Sequence, residues 1–349
     1  MFLTNQKYGR TMKFILFLLW TMATPFILCN QAALADEENS SSSKPSIFFD
    51  RLFFQPEAQI NEPSQGGPGP LLWAVGLKSG FSQWTDIRVS VGSPQMVFLP
   101  YWAATNNNFV SLLDGVGTIH GSVGDLYAGQ FLVPWGIEGT TEEENLFFPR
   151  TLLYQNGQFP LRDIGAGFKT DFDGYYMNVA AHSGVGPNQS STDNRVFVTG
   201  QFGYKGAAHS NVGISLTEGR VAQPFLTPEM KMRGGNAFFG FHIFGLGLQI
   251  EGSYFQTINQ NLTADILAWH ADIEHPISNS INIMARYEQL NPNILLGANV
   301  LGRGYIGGEW HSQDNVSRFF LFGIKNNESQ QEVPNDGILA IWRFTPPTE

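Results

Sequence analysis

Residues 163–182, DIGAGFKTDFDGYYMNVAAH, decide the fold of this chain. In the first half, Ile164 to Phe168 alternate apolar side chains with glycine, as expected where successive side chains of a strand point to opposite faces. The second half, Tyr175–His182, alternates in the same way, and Asp171–Gly174 between them is typical of a tight turn. The stretch therefore predicts a β-hairpin with one apolar face.

Two architectures fit such a hairpin. A soluble β-sandwich would bury the apolar face, whereas a transmembrane barrel would turn it to lipid and keep small and charged groups in a wet lumen. About sixteen segments of strand character recur from Ile47 to Phe344, and no long amphipathic helix interrupts them. The uncharged run Val89–Leu113 contains glycine and two prolines, which break helices. We therefore predict an all-β fold, a transmembrane antiparallel β-barrel of about 16 strands.

The composition agrees with many short strands. The 349 residues include 38 glycines and 29 phenylalanines, and only 14% are charged. Glycine at this level without a collagen repeat, next to abundant aromatic residues, favours strands with tight turns over a helical protein.

The chain begins with the features of a secretory signal. Lys7, Arg10 and Lys13 precede an uncharged run, and Ala33-Leu34-Ala35 resembles a cleavage site. We predict a signal peptide over 1–35, a flexible N-terminal segment with a candidate first strand over 36–70, and the barrel over 71–349. Removal of the leader takes away the only cysteine, and 17 basic against 30 acidic side chains remain, a formal charge of −13. Nucleic acid is therefore a poor partner on charge alone, and we expect none.

Three patterns could suggest chemistry. Gly302–Gly307 matches a dinucleotide motif, but the residues after it continue as a strand where that motif needs a helix. His270, Asp272 and Glu274 share one strand face and could hold a divalent cation, although solvated lumen residues show the same spacing. No Gly-x-Ser-x-Gly elbow is present. The sequence thus assigns no catalytic residue, no metal and no cofactor.

Several blocks resemble the phosphate-selective porin family, porins O and P. They are Gly129–Glu138 (GQFLVPWGIE), Leu146–Thr151 (LFFPRT), Arg162–Gly165 and the strand Tyr175–Gly184. The resemblance covers about half of the chain after the leader. It implies a sixteen-stranded outer-membrane barrel, a homotrimer, and a loop folded into the lumen as a constriction, which by position would be Gly139–Phe159.

Charged groups facing the lumen are the site candidates. The pore-constriction candidates are Glu142, Glu143, Glu144, Arg150, Arg162 and Asp163, and the pore-wall candidates are Lys169, Arg195, Lys205, Arg286 and Glu288. Phosphate-selective members line their channel with many arginines and lysines, whereas only six lysines remain here after the leader and the loop carries three consecutive glutamates. Since rings of charge set ionic preference, these residues favour a general or weakly cation-preferring pore at least as much as a phosphate-selective one.

The sequence therefore predicts a bacterial outer-membrane porin, without enzymatic activity, for passive diffusion of small hydrophilic solutes or ions, with membrane lipid as its surroundings. Two alternatives stay open. One is a secreted or surface β-rich binding protein without a pore, and the other is an outer-membrane hydrolase.

Overall fold

The computed structural model describes residues 46–61, 65–96, 98, 110–189, 195–207, 210–223, 226–259, 262–294, 299–329 and 336–345. The predicted signal peptide, 1–35, lies outside these ranges. The described residues form sixteen antiparallel strands in one closed barrel, in which each strand pairs with its neighbours in the chain. The strands are β1 (Ser46–Asn61), β2 (Gln65–Ser82), β3 (Thr85–Gly92), β4 (Ser111–His120), β5 (Asp125–Leu132), β6 (Arg162–Phe172), β7 (Tyr175–His182), β8 (Phe197–Lys205), β9 (Asn211–Gln223), β10 (Leu226–Ile243), β11 (Leu246–Asn259), β12 (Leu262–Ser278), β13 (Ile281–Asn291), β14 (Leu301–His311), β15 (Ser317–Glu328) and β16 (Gly337–Phe344).

Helical structure is sparse. The described part of the chain has one α-helix, α1 (Leu152–Gln155), and 3-10 turns at Pro94–Met96, Glu138–Thr140 and Glu143–Asn145. Within that part, none of the helices has the length and apolar character that crossing a bilayer requires.

The first and last strands close the barrel. β1 pairs with β16 through register partners such as Ala58 and Ala340, and Ile60 and Ile338. Every described strand therefore has two hydrogen-bonded neighbours, and the sheet has no open edge among the described residues. The sequence left open whether the strand near residue 47 or the one near residue 71 would pair with the last strand, and the structure assigns this role to the former.

The hairpin of residues 163–182 is confirmed as β6 and β7. Its two central turn residues, Asp173 and Gly174, have φ values of 52° and 81°. Positive φ at both positions is the signature of a type I′ turn, whose twist matches that of the flanking strands. Ile164 is exposed on the outside of the barrel, whereas His182 is buried inside it.

The two ends of the barrel differ. Where β1 starts and β16 finishes, the seven connections have only two to five residues each. The longest connection between described strands, residues 133–161, leaves the opposite end after β5 and returns to β6.

Three features differ from the sequence predictions. The barrel begins at Ser46 rather than at residue 71, and β2 includes Gln65–Pro70, a segment predicted to be a loop. β2 pairs with β3 only from Ala74 onward, so its first residues need no partner on that side and the prolines there are tolerated. β15 is apolar on both faces, because Phe320 and Phe322 are buried against the long connection inside the barrel.

Candidate functional site

The connection 133–161, here called the inner loop, folds into the barrel. Trp135 Nε1 donates to Ser253 Oγ on β11 at 3.1 Å, and Gly136 N donates to Ser215 Oγ on β9 at 3.0 Å. Both hydroxyls belong to buried positions that alternate with exposed ones along their strands. The inner loop therefore lies across the lumen, and it contains the predicted constriction loop, Gly139–Phe159.

A single carboxylate on the far wall fixes the first turn of the inner loop. Glu251 Oε2 accepts hydrogen bonds from the backbone nitrogens of Ile137 at 2.9 Å and Glu138 at 3.1 Å. Gly136 next to them has φ +65°, and a Cβ at this position would overlap the Glu251 carboxylate. Only glycine satisfies both the backbone conformation and the close approach.

Apolar side chains anchor the loop on either side of its middle. Trp135 and Phe159 stack with Phe255 of β11 at centroid distances of 4.9 and 5.2 Å. Further along, Phe148 packs against Tyr305 of β14 and Phe322 of β15. This burial accounts for the apolar inner face of β15 and supplies the main hydrophobic attachment of the loop.

Glu138 and Arg150 hold the loop in shape. The carboxylate of Glu138 accepts from Thr151 N at 2.8 Å and from Thr151 Oγ1 at 2.6 Å. Arg150 donates to the backbone oxygens of Glu138 and Thr141 and forms an ion pair with Glu143 at 2.9 Å. These bonds join the outgoing and returning halves of the loop into one unit.

The three consecutive glutamates, here called the acidic tip (Glu142, Glu143 and Glu144), meet three arginines of the barrel wall. These arginines, here called the arginine wall, are Arg51 of β1, Arg88 of β3 and Arg162 of β6. Arg51 lies 3.0 Å from Glu142, 3.0 Å from Glu143 and 2.7 Å from Glu144. Arg162 contacts Glu142 at 2.8 Å and Glu143 at 3.2 Å, and Arg88 contacts Glu142 at 2.9 Å.

The carboxylates of the tip differ in acidity. Burial opposes the ionisation of Glu143, but the charges of Arg162, Arg150 and Arg51 outweigh it and hold the pKa of Glu143 well below its ordinary value. Burial raises the pKa of Glu144. Arg51 acts against this rise, and the neighbouring Glu142 and Glu143 add to it. The tip therefore combines a strongly held carboxylate with one that protonates more readily.

One predicted constriction residue lies elsewhere. Asp163 is fully buried beside His182, with Oδ2 and Nδ1 2.7 Å apart, and it accepts from the backbone of Ile164. His182 Nε2 lies 2.9 Å from Thr199 Oγ1. This order of carboxylate, imidazole and hydroxyl resembles a hydrolase relay, but all three side chains are buried, so the arrangement supports the wall instead of facing a substrate.

Two of the predicted wall residues line a cavity between the inner loop and the short connections of the barrel. Lys169 is half exposed and lies 3.5 Å from Asp125, and the Lys205 ammonium lies 4.9 Å from the Tyr176 ring centroid. Both border a cavity of about 600 Å³, and Thr140 of the inner loop also lines this cavity. We call this cavity the vestibule.

Of the other predicted wall residues, Arg286 and Glu288 attach to the inner loop, whereas Arg195 lies outside the strands. Arg286 forms two bonds of 2.7 Å with Asp272 and donates to the backbone oxygen of Pro149 at 2.8 Å. Glu288 accepts from Leu152 N at 2.9 Å. Arg195 was predicted inside a strand, but β8 begins two residues later, at Phe197.

His270, Asp272 and Glu274, which share one strand face, do not converge on one point in the structure. Asp272 is bonded to Arg286, Glu274 lies 2.6 Å from His242, and His270 is 3.8 Å from Asp272. Alternate residues on one strand are too far apart to converge without help from another element. The acidic tip does bring three carboxylates within 4.8 Å of one another, but arginines already neutralise them.

The sequence did not identify most of the groups that meet the inner loop. Arg51, Arg88, Glu251, Arg318 and Arg343 all contact it in the structure. Their positions on the inward face follow from strand alternation, but alternation alone does not say which inward positions lie at the level of the loop.

Comparison with known proteins shows the fold. No family model and no curated protein match the sequence. Among solved structures, the anion-selective porin from Comamonas acidovorans has a TM-score of 0.65 at 11% identity, covering 87% of this chain and all of the porin. OmpT, an outer membrane protein of Vibrio cholerae in its trimer form, has a TM-score of 0.63 at 10% identity over 87% of this chain and 100% of OmpT. OmpF of Salmonella typhi, in complex with daunomycin, has a TM-score of 0.62 at 10% identity over 87% of this chain and 98% of OmpF. The barrel is therefore porin-like, whereas the finer resemblance to porins O and P stays a prediction.

Proposed function

We propose that this protein is an outer-membrane channel through which small hydrophilic solutes or ions diffuse passively, and that the inner loop sets its narrowest section. The observation that carries the proposal is a closed sixteen-strand barrel with exposed apolar side chains outside and a charged loop folded inside. A soluble protein would cover such an apolar exterior.

The exterior supports placement in a bilayer. Large apolar side chains remain exposed around the barrel, including Val89, Phe202, Ile250, Ile283 and Leu321. In hydrocarbon every backbone polar group needs a partner within the protein, and a closed sheet provides this. The predicted signal peptide is compatible with export to a bacterial outer membrane.

The interior supports a wet route. The vestibule is lined by lysine, aspartate, asparagine and glutamine side chains and borders the inner loop at Thr140. Sixteen strands are enough to enclose an aqueous channel. Two of the structurally similar proteins are porins, which agrees with a channel that works without an energy source of its own.

Ion preference follows from the charges at the loop. The arginine wall and Arg150 carry four positive charges, and Asp50, Asp114 and the acidic tip carry five negative charges. The balance of about −1 favours a general or weakly cation-preferring channel, because charge at the narrow section dominates selectivity. Strong phosphate selectivity would need a net positive constriction. Homotrimer formation is part of the proposal, in keeping with the trimer named for one neighbour.

Planar-bilayer recording tests the function. The purified, folded chain should give discrete current steps, and the reversal potential in a salt gradient should be near zero or slightly cation-selective. Folded protein that gives no steps would overturn the channel, and strong anion preference would overturn the selectivity. If the folded chain stays monodisperse without detergent, the alternative of a secreted β-rich binding protein gains support instead.

A further inference from the structure

The acidic tip occupies the arginine wall as a bound polycarboxylate would. One carboxylate, Glu142, bridges all three arginines through Oε1 to Arg88 and through Oε2 to Arg51 and Arg162. The other two carboxylates of the tip both lie against Arg51 Nη2. Guanidinium groups arranged in this way recognise planar carboxylates with high geometric specificity.

The spacing of the carboxylates defines the size of the ligand they imitate. One oxygen from each of the three glutamates lies within 4.8 Å of the others. A small molecule with two or three carboxylates on adjacent carbon atoms presents its oxygens at comparable distances. A single carboxylate could take the bridging position of Glu142, but it would leave the contacts of Glu143 and Glu144 with Arg51 Nη2 unreplaced.

The tip is held by polar contacts alone. The buried apolar residues of the inner loop lie before it, at Val133 and Trp135, and after it, from Phe148 onward. None of the hydrophobic clusters includes a described residue from 140 to 146. The main chain of the tip is held separately, by Arg318 and Arg343, which donate to the backbone oxygen of Glu144 at 3.3 and 3.2 Å. The glutamate side chains can therefore exchange while the loop stays in place.

We propose that the arginine wall is a binding site for solutes that carry two or three clustered carboxylates, and that the acidic tip is its internal competitor. The site lies on the route of the proposed channel, so the inference rests on that function. A solute would reach it at Arg88, whose side chain is 29% exposed, and displace Glu142 from the bridging position. Glu143 keeps Arg150 as a partner when it leaves Arg51.

Charge supports the ligand class. Without the tip, the three arginines face two carboxylates among the described residues, Asp50 and Asp114, so the empty site is positive. Arg51 and Arg162 are almost fully buried, at 2% and 0% exposure, and buried guanidinium groups need anionic partners. A multivalent carboxylate can fill both the bridging position of Glu142 and the position at Arg51 Nη2, whereas a monovalent anion can balance the charge but fills only one of these positions.

Calorimetry with tricarballylate as the probe tests the proposal on the full-length purified protein. The variant Glu142→Gln/Glu143→Gln/Glu144→Gln should bind about tenfold more tightly or better than the parent, because the competitor no longer reduces the fraction of open sites. Adding Arg88→Gln to this variant should abolish the gain. Glu218→Gln, which removes an exposed carboxylate paired with Lys231 on β10, should leave the affinity unchanged.

The outcomes separate the site from the channel. Equal or weaker tricarballylate affinity in the triple variant would overturn the site, as would a gain that survives Arg88→Gln. If the triple variant does not fold, Glu144→Gln alone should give a smaller gain in the same direction, and no gain would count against the proposal. Binding is measured here without current, so a lack of conductance steps bears only on the channel.

Discussion

Glu251 accepts a hydrogen bond from the backbone nitrogen of Ile137 at 2.9 Å, although 114 residues separate the two in the chain. The bond joins the middle of β11 to the inner loop across the lumen. Its acceptor is a buried carboxyl group, and this group serves a second backbone donor, that of Glu138. The position of the inner loop is thus set by the far wall as well as by the loop itself.

Removal of this acceptor should loosen the loop. In Glu251→Ala two backbone donors, the buried one of Glu138 and the partly buried one of Ile137, lose their partner, which costs about 1–3 kcal/mol each where water cannot replace it. We expect a lower unfolding midpoint and noisier single-channel current. Both are measured on purified protein, by heat-dependent electrophoretic mobility and by bilayer recording. Glu218→Ala, an exposed carboxylate, is the control, and an equal effect in both variants would contradict the anchoring role.

A methyl group at Gly136 should displace the loop. Gly136→Ala forces a side chain into a left-handed backbone conformation and against the Glu251 carboxylate, at a cost of about 1–3 kcal/mol. The expected results are reduced thermal stability and altered conductance. Gly117→Ala is the matched control, because nothing lies within 4 Å of its added Cβ. Unchanged conductance in Gly136→Ala would argue against a loop that sets the narrow section.

Single charges at the loop should move ion preference in opposite directions. Arg88→Gln removes a positive charge and should shift the reversal potential toward cation preference, and Glu144→Gln should shift it toward anions. Lys231→Gln, near the start of β10 where Lys231 pairs with Glu218, should leave the reversal potential unchanged. Shifts of the same sign in the first two variants would show that neither side chain faces the permeation path.

Acidification should change selectivity before it changes stability. The pKa of Glu144 is raised, mainly by burial, so this group loses its charge at a higher pH than Glu143 does, and cation preference should decrease above the ordinary glutamate pKa. The pKa of Glu143 is depressed, so its stabilising contribution is complete above the ordinary value and is lost only as the pH falls through the lower one. Reversal potentials recorded across the acid range should show the first step, and Glu144→Gln should remove it.

A charged side chain on the outside of the barrel should weaken its folding into a bilayer. Leu321 lies in the middle of β15 with half of its side chain exposed. Leu321→Lys should reduce the free energy of folding into bilayers by about 2–4 kcal/mol if the position meets hydrocarbon, whereas Leu321→Ala should cost less. Denaturant titration in lipid vesicles measures both. Equal costs would indicate that this face is not in contact with lipid.

Local sequence features were sufficient to predict much of the barrel. Period-two alternation gave the strands and their inward and outward faces, and turn residues such as Asp173 and Gly174 gave the tight end of the hairpin. The even number of segments pointed to closure. The predictions were wrong where a neighbouring element changed what a local sequence pattern would otherwise indicate. The prolines after Gln65 lie in a strand because β3 does not reach them, and the inner face of β15 is apolar because Phe148 covers it.

The sequence by itself determined which side chains face inward, because alternation is a property of each strand alone. Only the tertiary structure decided which of them meet. Arg51 and Glu144 are 93 residues apart and touch because the barrel closes and the inner loop crosses it, while Asp163, close to the loop in sequence, bonds to His182 instead. Contacts of this kind depend on the height of each residue along the barrel and on the path of the loop, and neither quantity is encoded in a local pattern.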